Sequence, residues 1–159
     1  MNLLDLLFGK KKTVNDPVLG LIKSERIKGE NHTKSYSWYA GYLMPNAPEK
    51  SSVVLQGNNR APNPAQLHEI KYILDNLDSL YLKVDEKLAH EAKNQTLPER
   101  EAFKNWRNFF YLGAIHPANL DTSLNFELGF DPIDREANGY MSFTYANREL
   151  TEMYGEAPK

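Results

Sequence analysis

Cysteine is absent from the 159-residue chain. That absence excludes disulfides, thiolate nucleophiles and zinc sites built on sulfur, and it fits a reducing cytoplasm, the compartment expected here. No apolar run approaches the roughly 18–20 residues of a membrane-spanning helix. A net charge of −2 provides no basic footprint for nucleic acid. There is no Gly-rich phosphate loop, no His-Glu-x-x-His and no Gly-x-Ser-x-Gly, so no cofactor is expected and no catalytic residue is assigned. The histidines do not form a metal site by spacing. His68 and His90 are 22 residues apart, about 33 Å along a helix, and His32 and His116 fall in a polar loop and beside Pro117.

What is present describes one folded domain. Hydrophobic residues make up 41% of the chain and charged residues 25%, ordinary proportions for a globular protein. Charge is uneven: residues 1–60 carry +4 and residues 61–159 carry −6. A partner with a basic surface is therefore the expected complement of the C-terminal part. Residues 1–14 read as a short amphipathic segment, Leu3 to Phe8, followed by a basic tether at Lys10-Lys11-Lys12, and residues 15–159 as the domain. The positive charge follows the apolar stretch, the reverse of a secretory signal, and so short a segment would bind a membrane surface only weakly.

Asn15-Asp16-Pro17 marks a turn. Three short strands follow: Val18–Ile27, then Tyr36 to Leu43, then Ser51–Gln56. The loop at 57–63 leads into the clearest pattern in the chain. Asn63 suits a helix N-cap, Pro64 the first helical position, and Gln66 the third residue of a capping box. Leu67, Ile70, Leu74, Leu77, Tyr81, Val84 and Leu88 then recur at alternating spacings of three and four. The spacing predicts one helix over about 64–93, about 45 Å long. Thr96 and Glu99 open a shorter helix over about 97–108. Residues 109–115 read equally as helix or strand. Ser123–Phe130 alternates, with Leu124, Phe126, Leu128 and Phe130 on one face, and Tyr140–Tyr145 forms a further strand. The residues after Asn147 suit a last turn of helix or an edge strand.

The expected fold class is α+β: an antiparallel sheet packed on one long helix and a shorter one, in the order β-β-β-α-α-β-β. The candidate binding residues are aromatic and acidic. Alternation puts Tyr36 and Trp38 on one side of their strand and Tyr39 on the other, so one face is core and the other offers an aromatic anchor to a partner. Asp131 and Asp134 stand in an acidic loop that lacks the spacing of a calcium loop.

The Leu/Phe start with Gly9-Lys-Lys-Lys12, the Asp16-Pro-Val-Leu-Gly20 motif, the Trp38-Tyr-Ala-Gly41 strand and the Pro64-x-Gln66 helix opening together resemble a group of small uncharacterised bacterial proteins. The resemblance covers about residues 1–145 by order of elements. Some members of such families look like immunity proteins that neutralise a toxin. The resemblance implies a protein that acts by binding another protein and brings no catalytic residues with it. The competing expectation is a small-molecule-binding domain or enzyme with a pocket between sheet and helices, using His116, Asp131 and Tyr140.

Overall fold

The computed structural model describes residues 7–29, 31, 33–93, 101–119, 121 and 123–156. Eight strands form one sheet in sequence order: β1 (Lys10–Asp16), β2 (Gly20–Ile27), β3 (Tyr36–Tyr42), β4 (Ser51–Gly57), β5 (Phe110–Pro117), β6 (Phe126–Pro132), β7 (Tyr140–Ala146) and β8 (Glu149–Glu156). Neighbours pair antiparallel except β4 and β5, which are parallel. Two four-stranded meanders are thus fused edge to edge. A parallel pair needs a crossover, and the helices supply it: α1 (Pro64–Asp75), α2 (Leu77–Lys93), α3 (Glu101–Lys104) and a 3-10 turn at Trp106–Asn108.

This overturns the expected architecture. The sheet is mixed rather than antiparallel, it dominates the chain, and the order β-β-β-α-α-β-β is replaced by four strands, helices and four strands. At the two sheet edges, β1 escaped the sequence pattern and β8 answers to the edge-strand alternative for the residues after Asn147, and the two share a physical reason for their weak signal. In β1 (KKKTVND) only Val14 packs against the core, and β8 (ELTEMYGE) contributes only Leu150 and Met153. An edge strand buries too little to show alternation. β5 is the strand alternative for residues 109–115, undecidable from sequence for the opposite reason: it lies mid-sheet, six of its eight residues are buried, and a short apolar run has no period to read. Lys10–Lys12, read as a tether, are the first residues of β1.

The single helix over 64–93 is also corrected. Asn76 (φ −122°, ψ 32°) separates α1 from α2. Its side-chain amide donates to the Tyr72 carbonyl at 2.8 Å, its N–H to the Ile73 carbonyl at 3.2 Å, and its own carbonyl accepts from Leu80. Asparagine competes with the helical ladder in this way. The pause is one residue long, so the apolar spacing runs through it undisturbed. Of the expected helix over 97–108, residues 97–100 and the Thr96–Glu99 start signal lie outside the described residues. The rest is the four-residue α3 and the 3-10 turn.

Gln66 does not close a capping box. Asn63 does cap α1, accepting from Ala65 and Gln66 N–H groups. The fully buried Gln66 side chain instead accepts from Gln56 N–H at 2.8 Å and donates to the carbonyls of Asp121 and Ser123. It therefore ties α1 to both meanders.

The helices cover one sheet face. Ile70, Ile73, Leu74, Leu80, Val84 and Leu88 pack against Trp38, Val53, Leu55, Leu112, Ile115, Leu128 and Phe143. Edge-to-face aromatic contacts continue the core: Tyr81 to Trp106 at 5.2 Å, Trp106 to Phe130 at 5.3 Å and Phe130 to Phe143 at 5.6 Å. Leu124, expected on the core face, precedes β6 and is exposed.

Candidate functional site

No described element packs on the other face of the sheet. Its composition follows from strand alternation and register. One row crosses the sheet as Thr13, Lys23, Tyr39 and Val54 on the first meander, continuing as His116, Glu127 and Thr144 on the second. Two residues along each strand, a second row reads Asn15, Leu21, Gly41, Ser52, Ala114, Gly129, Ser142 and Tyr154.

Charge on this face is segregated. Lys11, Lys23 and Lys50 line a recess of about 520 Å³ with Leu21, Tyr39 and Gly41. On the second meander stand Glu127, Asp131 and Glu152, and the Tyr154 hydroxyl donates to the Glu152 carboxylate. Three tyrosines project from the face: Tyr39 at 45% exposure, Tyr140 at 50% and Tyr154 at 58%.

Two groups of this face with shifted ionisation, Asp131 and Tyr111, lie together. Its carboxylate lies across Gly113, where a Cβ would collide with it, at the bulge between Leu112 and Ala114. Partial desolvation, then the nearby Glu49 carboxylate, raises the Asp131 carboxyl above its ordinary value. Arg135 donates to Glu49 at 2.8 Å, and Tyr111 hydroxyl to the same carboxylate at 3.4 Å. Burial, followed by Asp131 and Glu49, pushes the Tyr111 phenol up.

The structure divides the sequence-derived candidates. Tyr36 and Trp38 are 3% and 0% exposed, and Trp38 Nε1 donates to the Asn58 carbonyl, so both belong to the core and offer no surface. Tyr39 is on the open face, as is Asp131. Asp134 is exposed in the β6–β7 loop, where its carboxylate accepts from Glu136 N–H at 3.0 Å and shapes a turn. His116, Asp131 and Tyr140 are not one constellation. Asp131 and Tyr140 are adjacent by continuation of the β6–β7 register. His116 instead faces Glu127 at 3.9 Å, four residues from Asp131 and thus about 13 Å along the strand. His32 lies outside the described residues.

Lys11, Lys23, Lys50, Glu127 and Glu152 were missed by sequence reading. Alternation held the signal for two of them: Glu127 lies between Phe126 and Leu128, and Lys23 follows Ile22. The separation of charge across the face depends on strand order.

Among the described residues no group of three or more His, Asp or Glu side chains is placed to hold a metal ion, and no helix is long and apolar enough to cross a membrane. The fold is α+β with a half-covered mixed sheet, and its distinguishing surface is the open face. The chain matches no family model, no curated protein and no solved structure.

Proposed function

We propose that this chain acts by binding another protein in the bacterial cytoplasm, in the manner of an immunity protein that occludes a toxin. The observation that carries the reading is the open sheet face, with half-exposed tyrosines beside Glu127, Asp131 and Glu152 on the second meander. Tyrosine supplies large contact area with little rotamer entropy. Carboxylates flanking it steer and orient a basic surface. The matching partner is therefore a protein with a basic patch, such as a cleft that handles a polyanion. The Asp16-Pro-Val-Leu-Gly20 resemblance to families with immunity members supports the same reading.

The test is co-expression with each toxin candidate encoded beside the gene. The wild-type chain restores growth, and the triple variant E127K/D131K/E152K, shown folded by circular dichroism, does not. Failure of the wild type to protect against any neighbouring toxin, or full protection by the folded triple variant, overturns the reading.

A further inference from the structure

We propose that the open sheet face is self-complementary and docks on a second copy of this chain, face to face, about a two-fold axis that runs parallel to the strands between β4 and β5. The charge order across the face carries the argument. Its first-meander half presents Lys11, Lys23 and Lys50 around one recess, and no ion pair holds these lysines among the described residues. Glu25 also stands on that half, and Glu49, at the seam beside Asp131, is paired with Arg135 at 2.8 Å. The second-meander half presents Glu127, Asp131 and Glu152. The stated two-fold lays β1 over β8, β2 over β7 and β3 over β6 of the other copy, because the strands stand in sequence order. Each basic half then covers an acidic half, twice per dimer, as an isologous contact requires.

Shape agrees with charge. The row Asn15, Leu21, Gly41, Ser52, Ala114, Gly129, Ser142, Tyr154 carries its large side chains, Leu21 and Tyr154, toward its two ends and is small across its middle. Tyr154, 58% exposed, falls over Asn15 of the other copy and Leu21, 47% exposed, over Ser142, so each large side chain meets a smaller one, while the small middle lets two sheets approach the about 10 Å of face-to-face packing. Eight strands at about 4.8 Å spacing and five residues of height give a face of about 38 by 17 Å. That is about 650 Å² in plan, near the about 800 Å² per partner of a standard interface.

This inference does not depend on the identity of a foreign partner, but it implies that such a partner competes with the second copy. The experiment uses the purified chain alone, so its failure leaves partner binding untouched. Sedimentation velocity of the wild type at about 0.01 M salt, where the Debye length is about 30 Å, yields twice the 18.2 kDa chain mass. At about 1 M salt, where it is about 3 Å, the mass falls to the monomer. Two folded variants sharpen the test. K11E/K23E/K50E makes the face predominantly acidic and E127K/D131K/E152K makes it predominantly basic; each alone is monomeric, and an equimolar mixture forms a dimer. A wild type that stays monomeric at low salt, or a mixture of folded variants that fails to associate, overturns the proposal.

Discussion

The Asp16 carboxylate lies 2.5 Å from the Lys71 ammonium, joining the β1–β2 turn to α1. The other Asp16 oxygen accepts from the N–H groups of Val18 and Leu19, closing the turn around Pro17. Burial opposes ionisation of Asp16, yet the Lys71 bond and the two backbone donors outweigh it and hold the carboxyl below its ordinary value. A depressed carboxyl stabilises the folded state above its unfolded pKa of about 3.9 and loses that contribution as pH falls through the lower folded value. Asp16→Asn is expected to cost about 1–3 kcal/mol at neutral pH. Urea titrations of wild type and variant converge as pH falls below the ordinary carboxyl value and through the lower folded one, and a gap unchanged by acid refutes the assignment.

Gln66 is the polar bracket between the meanders. Gln66→Leu leaves Gln56 N–H and two loop carbonyls without their partner. An unsatisfied buried group costs about 1–3 kcal/mol, so denaturant unfolding is expected to show a loss of at least about 2 kcal/mol. A loss under 0.5 kcal/mol, the ordinary size for an exposed position, means the bracket is not formed in solution.

Gly113 makes room for Asp131. Gly113→Ala sets a methyl against the Asp131 carboxylate and is expected to cost about 1–3 kcal/mol. In the double variant Gly113→Ala/Asp131→Ala part of that cost returns, because the colliding group is gone. A double-mutant cycle reads this coupling directly. Additive costs refute the contact.

Arg148 occupies a conformation that suits glycine. Asn147 and Arg148 have φ of 51° and 65° at the β7–β8 turn, the pattern of a hairpin turn normally written Asn-Gly. The guanidinium compensates by lying 3.7 Å over the Tyr72 ring and donating to the buried Glu69. Both Arg148→Gly and Arg148→Ala lose these contacts, but only alanine keeps the left-handed strain. The glycine variant is expected to be the more stable of the two by about 1 kcal/mol in thermal melts. The reverse order refutes the strain.

The elements legible in the sequence were those that bury one face. β3, β4, β6 and β7 alternate because the helices cover only one side of them, and the stripe from Leu67 to Leu88 marks the helical layer. The candidate surface was legible only in fragments: Tyr39 and Asp131 are on the open face, whereas Tyr36 and Trp38, equally aromatic, are core. Sequence cannot say which side of a strand faces the helices until the helices are placed.

By itself the sequence determined local conformation: the Asp16 turn, the Asn63 cap, the buried stripe and the alternation of the central strands. These depend on neighbours a few residues away. Tertiary structure decided the rest. The parallel joining of β4 to β5 brings Ser52 beside Ala114, 62 positions along the chain. It creates one eight-stranded sheet from two meanders and sets a basic half against an acidic half on its open face. The edge strands exist because neighbours offer them backbone hydrogen bonds, an interaction that is nearly blind to side chains.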